Sequence, residues 1–382
     1  MTGPKIKLLR LSKSIISNKE ILAVKNILKK GFLGMGPEVE KFENILTRYF
    51  KREVVCFNSG TAALQVALQA CGVGRNDEVL VPSITYVASY QAISATGARP
   101  VSCDIDLENM QISLIDLKKR VTRKTKAIMP VHFSGSASQI LKIYKFAKQN
   151  KLRVIEDAAH AFGTKVRGKK IGSFGDITCF SFDGIKNITS GEGGCLVTSD
   201  KKILSMAKDI RLLGIENETE KRYSGHRSWI SDVKMQGWRY HMSDINASIG
   251  IEQFKRFSKL SKIRKDVCRS YDKKFKKHKY IKIFKRNYKE EVPHIYVVRV
   301  LQLNNRREFL RKELLKNGIQ TGIHYYPNYK YKKFKASNFF FPNTEKIYKE
   351  LLTLPLHPDL KEKDISYISK ILKELITKYI SR

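Results

Sequence analysis

The sequence predicts an α/β protein with a mostly parallel central sheet and a smaller C-terminal α/β domain. Three observations carry this. Short β-rich runs alternate with helical runs from residue 53 to about 200. The texture then shifts, after about 250, to long basic helices around one further strand. The chain has 382 residues, 42% of them hydrophobic, enough for about two domains at roughly 150 residues each.

The elements follow in order. SNKEILAVKNILK has helical periodicity, with Ser17 or Asn18 as the cap. GFLGMGPE (31–38) is a Gly-rich loop, and PEVEKFENILTRYF a second helix. EVVCFN (53–58), DEVLVP (77–82), RPVSCDI (99–105), KAIMPVH (126–132), LRVIEDA (152–158), ITCFSF (177–182) and GCLVTSD (194–200) read as strands. TAALQVALQA (61–70), VASYQAISATG (87–97) and SQILKIYKFAKQN (138–150) read as the helices between them. Such βαβ alternation implies a parallel sheet, which takes ligands at its strands' carboxyl ends. A basic helix over roughly 250–277, a strand at 294–303 and two further helices complete the chain. The expected division is an N-terminal arm and helix (1–33), a large domain (34–250) and a small domain (251–382).

The net charge of +37 is the obvious argument for a nucleic-acid binder. The lysines are spread widely, with extra density at 255–289 and 311–335, and no helix-turn-helix, RRM or zinc-finger pattern accompanies them. Solvated lysine-rich faces are the expectation, and no nucleic-acid partner. No apolar run of about 18 residues and no signal-type start is present, so a cytoplasmic protein without membrane insertion is expected. Cys56, Cys71, Cys103, Cys179, Cys195 and Cys268 lie scattered, without a CxxC pair or zinc spacing. They read as buried thiols of a reducing compartment, and no metal is expected.

The strand ends hold the chemistry. Ser59, Gly60 and Thr61 sit between a strand and a helix, where free N–H groups favour an anion such as phosphate. Taken alone, a Ser/Thr cap with a glycine turn is the better account of them. Tyr86 follows the next strand, as a ring-stacking aromatic or a core tyrosine. Glu156 and Asp157 end a strand, and one of the two carboxylates would suit a protonated pyridine nitrogen. Lys186 lies in the irregular loop after Ser181, and a lysine amine can condense with an aldehyde. The pattern of the set, at matching strand ends in order, says more than any member.

At this point the chain resembles the DegT/DnrJ/EryC1/StrS family of pyridoxal-phosphate sugar aminotransferases. NSGTAALQVAL, VPSITYVAS, VIEDAAHAFGTKVRGKKIGSFGDITCFSF, KNITSGEGG, YHMSDINASIGIEQFKRF and GIQTGIHYYP carry the resemblance over nearly the whole length. It implies the aspartate-aminotransferase fold (type I) and a homodimer with shared active sites. Lys186 then falls on the imine-forming lysine, Asp157 on the partner of the pyridine nitrogen, and Tyr86 on the stacking aromatic. Ser59, Thr61 and Ser181 fall on phosphate-binding positions, and His160 beside the ring's 3-hydroxyl. The segment GWRYHMSDINAS (237–248) departs from the family. It lacks the asparagine that commonly reaches the partner's cofactor phosphate, and Arg239 or His241 is expected to substitute. Arg227, His324 and His132 are the substrate-side candidates.

The resemblance further implies ping-pong transfer from glutamate to a nucleotide-linked keto sugar. Lys186 would shuttle a proton between the amino-acid α-carbon and the cofactor. The 222–250 segment is similar to members that aminate C4, so a 4-keto-(6-deoxy) sugar is expected, for surface polysaccharide, O-antigen or glycan synthesis. Amination at C3 and a non-catalytic basic regulator are the competing readings.

Overall fold

The computed structural model describes residues 7–224, 231–303, 306–335 and 340–380. Helix α1 (Asn18–Lys30) starts at Ser17, whose side chain and Glu20 close a reciprocal capping box. It ends at Gly31, which sits at φ 68°, where a side chain would be strained. Helix α2 (Pro37–Phe50) has proline in its first turn, where no N–H is needed.

The large domain follows as β1 (Glu53–Phe57), α3 (Gly60–Ala70), β2 (Glu78–Pro82), α4 (Val87–Ala95), β3 (Arg99–Cys103), α5 (Leu114–Arg120) and β4 (Thr125–Ile128). It continues with α6 (Ile140–Gln149), β5 (Arg153–Asp157), the hairpin β6 (Lys165–Val166) and β7 (Lys169–Lys170), β8 (Ile177–Ser181) and β9 (Gly194–Thr198). Helices α7 (Lys201–Ile210) and α8 (Glu218–Tyr223) complete it. The seven-stranded sheet has the order β1-β9-β8-β5-β4-β2-β3. Only β9 runs against its neighbours, antiparallel to both β1 and β8. The sheet is therefore mostly parallel, as expected.

Strand alternation feeds two separate cores. In β1, Val54 and Cys56 pack with Phe42, Leu46 and Phe50 of α2 and Ile140 and Ile143 of α6. Val55 and Phe57 face the other way, onto Ala63, Val66 and Ala67 of α3 and Ile203 and Ala207 of α7. Each fully buried branched or aromatic side chain contributes about 1.5–3 kcal/mol, so both faces hold the sheet in register. All six cysteines are free, and five are buried.

Helix α9 (Asp244–Phe275) is 32 residues long, about 48 Å at 1.5 Å per residue. It begins earlier than expected because Ser243 caps it, accepting from the Asn246 N–H. Ala247 and Ile251 belong to the large core, and Val267, Cys268, Tyr271 and Phe275 to the small one. A single unbroken helix thus crosses position 250. The small domain adds β10 (Ile281–Ile283), β11 (Tyr296–Val300), α10 (Arg307–Lys316), α11 (Pro342–Glu350), β12 (Leu351–Leu354) and α12 (Glu362–Ile380). Its three strands form an antiparallel sheet, β10-β11-β12. The N-terminal arm joins it where Leu9 pairs with Ile319. Among the described residues no helix is long and apolar enough to cross a membrane.

Candidate active site

The carboxyl ends of β2, β5 and β8 open into a cavity of about 380 Å³. Ser59, Gly60, Thr61, Tyr86, Asp157, His160, Ser181, Lys186 and His324 all line it. Residues spread over some 265 positions of sequence are brought together because the parallel strands end on one side.

One end of the cavity is a cradle of backbone. Ser59 caps α3 by accepting from the Ala62 N–H at 3.0 Å, so it is a cap and a lining residue at once. The first N–H groups of α3 have no partner within their own helix. A Cβ on Gly60 would lie 2.8 Å from Ser181 Cβ, and one on Gly194 would lie 2.5 Å from Gly60 N. Three chain segments therefore approach as closely as backbone can, with Ser181 Oγ beside the helix start. Amide donors, hydroxyls and a helix N-terminus make a phosphate site.

The next part is the carboxylate. Strand alternation separates the two acids that the sequence left open. Asp157 faces the cavity and accepts from Ser89 Oγ at 2.7 Å and the Ala159 N–H at 3.1 Å. Glu156 faces the α6 side. It accepts from Tyr144 Oη at 2.5 Å, Thr178 Oγ1 at 2.8 Å and His132 Nε2 at 2.6 Å. The His132 ring is 1% exposed and bonded to Glu156, and His132 is not among the residues that line the cavity.

Lys186 lines the same cavity. Burial pushes its amine below the ordinary lysine value, against the pull of the Asp183 and Asp157 carboxylates. His160 Nδ1 accepts from the Ser134 N–H at 3.2 Å, so the ring proton sits on Nε2 and is donated to Tyr325 Oη at 3.0 Å. Burial, then the Lys186 and His324 charges, hold His160 well below the usual histidine range, and hence neutral. Tyr86, 58% exposed, lies at the mouth with its ring 5.6 Å from that of Tyr325. His324 bonds Thr353 Oγ1 at 2.9 Å, and burial with Lys186 pushes it down to about 4.

Two lining residues escaped the sequence reading. His294 opens a strand-like run, and Tyr325 adjoins His324; neither has a motif of its own. The His294 ring lies 4.4 Å from that of His160. Arg239 and His241 do not line this cavity. Arg239 is exposed, and His241 pairs with Phe57 as a bridge beside β1. Arg227 lies outside the described residues.

Comparison with known proteins agrees with this arrangement. Residues 14–373 match the model of the DegT/DnrJ/EryC1/StrS aminotransferase family. The chain is 35% identical to the uncharacterized protein MJ1066 of Methanocaldococcus jannaschii, over 95% of this chain and 96% of that one. It is 33% identical to the spore coat polysaccharide biosynthesis protein SpsC of Bacillus subtilis, over 95% of each. Among solved structures it resembles the putative sugar aminotransferase Spr1654 of Streptococcus pneumoniae in its PMP form. There the TM-score is 0.90 at 29% identity, covering 98% of this chain and 99% of that one; a PLP form of the same protein matches with the same score. With a family match over nearly its whole length, the chain belongs to the DegT/DnrJ/EryC1/StrS aminotransferase family and is a transaminase.

Proposed function

We propose that this transaminase holds pyridoxal phosphate on Lys186 and moves an amino group from glutamate to a nucleotide-linked 4-keto sugar. The observation that carries the reading is the set of groups that share one cavity: a phosphate-type cradle, the Lys186 amine and the Asp157 carboxylate. The solved forms of the pneumococcal relative support the cofactor. That relative's description as a sugar aminotransferase supports the sugar, and the name of the Bacillus relative supports a role in polysaccharide synthesis.

Bound there, the cofactor supplies an aldehyde to carry nitrogen and a cationic ring to accept electrons. The chain does the rest. Ser59, Gly60, Thr61 and Ser181 hold the phosphate. Asp157, fixed by Ser89 and Ala159, keeps the ring nitrogen protonated. Tyr86 and neutral His160, whose proton is donated to Tyr325, would hold the ring. Lys186 Nζ, whose affinity for a proton burial lowers, takes and returns the proton that moves during transfer. His324 and Arg227 serve the substrate side, where the +37 chain attracts a nucleoside diphosphate.

Arg239 and His241 serve a second subunit's cofactor phosphate in a homodimer. Their position away from their own cavity supports that role. So does the exposed apolar surface of α1 and its following loop, with Ile21, Leu22, Leu28 and Phe32 each at least 48% exposed. Light scattering should give twice the chain mass. The substrate is tested with glutamate and a panel of 4-keto and 3-keto sugar nucleotides, with product structure read by NMR. Amination at C4 supports the reading, amination at C3 replaces the sugar assignment, and no amination of any sugar overturns it.

A further inference from the structure

Helix α9 buries a cation that the chemistry above does not use. Arg264 is 3% exposed. Among the described residues no carboxylate pairs with its guanidinium, and the partners that it has are backbone carbonyls. Burial pushes it down to about 10, so it is still charged at neutral pH. A buried charge without a counter-charge is unfavourable, and its surroundings show what offsets it. Nη1 donates to the carbonyls of His294 at 3.2 Å and Leu356 at 3.5 Å, and Nη2 to the carbonyl of Ile185 at 3.4 Å. Nε has no partner.

Those carbonyls belong to three separate segments, two of which, at Ile185 and His294, line the cavity. Ile185 is the residue before Lys186. His294 leads into β11, and Leu356 follows β12. We propose that Arg264 is a positioning residue that ties the lysine loop to the small sheet and holds an uncompensated positive charge behind Lys186. This rests on the reading of Lys186 as the cofactor's amine.

The charge acts in one direction. Asp183 and Glu192 of the lysine loop and Asp157 of β5 favour the ammonium form of Lys186; burial and Arg264 oppose it. His160, His294 and His324 also face Lys186 and are themselves held neutral, each with Lys186 among the causes. Arg264 is therefore the fixed cation that works against three carboxylates and lowers the proton affinity of the amine. The guanidinium fork does a second thing that a point charge cannot: it holds carbonyls from different segments in fixed directions.

The test uses the full chain stripped of cofactor and mixed with pyridoxal phosphate across the neutral to alkaline range. Lys186 Nζ attacks the aldehyde carbon, a C=N bond forms and water leaves. Absorbance gives the rate, and borohydride reduction with peptide mass locates the bond. The readout is the pH of half-maximal rate. Arg264→Gln, which removes the charge, should move that midpoint up by about half a unit or more. Arg264→Lys, which keeps the charge and loses the fork, should leave the midpoint within about 0.2 unit and slow the plateau rate about threefold or more. An unmoved midpoint in Arg264→Gln overturns the proposal, as does an Arg264→Lys midpoint that moves just as far. Should Arg264→Gln not fold, Arg264→Lys decides: a slowed plateau at an unmoved midpoint supports, and a normal plateau or a shifted midpoint refutes. Absence of any bond at Lys186 in the unaltered chain would instead sink the functional reading itself.

Discussion

Adding one methyl group to Gly60 should loosen the cofactor without touching any catalytic atom. A Cβ there would lie 2.8 Å from Ser181 Cβ and 3.2 Å from Ser181 Cα, where unstrained carbons sit about 3.5–4.0 Å apart. Roughly 0.7 Å must be found. Ser181 cannot yield it easily, because β8 is paired with β9 along its length, Ser181 opposite Gly194. Gly194 is itself packed against the Gly60 amide. The start of α3 must therefore lift, and it carries the N–H groups that face the phosphate. Overpacking of this kind costs about 1–3 kcal/mol, which is about 5- to 150-fold in the dissociation constant. Alanine is the better helix former by about 0.8–1 kcal/mol, and Gly60 has no left-handed φ, so propensity and strain cannot produce the loss. An absorbance titration with pyridoxal phosphate measures it. Gly74→Ala is the control, since its Cβ would meet only the Thr96 carbonyl at 3.9 Å. If Gly60→Ala binds within twofold of the unaltered chain, the cradle is not where the phosphate sits.

Three further outcomes are expected. Lys186→Ala should form no covalent bond with pyridoxal phosphate and should lose at least ~5 kcal/mol of transition-state stabilisation, about four decades in turnover; near-normal turnover would contradict the scheme. His324, with its folded value pushed down to about 4 from 6.5, stabilises the fold fully above pH 6.5. That contribution drains away as pH falls from 6.5 toward 4, because the unfolded chain binds the proton first. The span corresponds to about 3 kcal/mol, so urea midpoints of His324→Asn should fall less steeply between pH 7 and 4 than those of the unaltered chain. Glu43→Gln removes the charge that pairs with Arg211 Nη1 at 2.5 Å, where Arg211 is fully buried. About 3–5 kcal/mol of stability should be lost, and a denaturation midpoint within error of the original would refute the pairing.

Much of the large domain was legible because its elements are periodic and bounded by turn residues. Helix α1 fell at the expected position, since Ser17 and Gly31 mark its ends. Strands β10 and β12 and helices α5, α7, α8 and α11 were not read. They are short, and tertiary contacts rather than pattern fix them. The first turn of α9 mixes Asp244 and Asn246 with Ile245 and Ala247, so the apolar period is hard to see there. In the site, Lys186, Asp157, Ser181 and the 59–61 turn were legible because each sits at the end of a recognisable strand. His132 also follows such a strand, yet its ring is directed to Glu156 and it does not join the cavity lining. His294, Tyr325 and Arg264 come from the small domain and its long helix. No spacing in the chain announces that His294 and Tyr325 return to the cavity, or that Arg264 reaches the carbonyl before Lys186.

The length of α9 has a mechanical consequence. A stiff rod of about 48 Å anchored in one core and ending in another behaves as a lever. A tilt of about 5° at its first turn carries its far end through about 4 Å. His294 leads into β11, and His324 is bonded to Thr353 of β12, so both travel with that far end. The gap between the rigid cradle under α3 and the groups that face it is thus geared to the angle of one helix, and a few degrees suffice to change it by more than an atom's width.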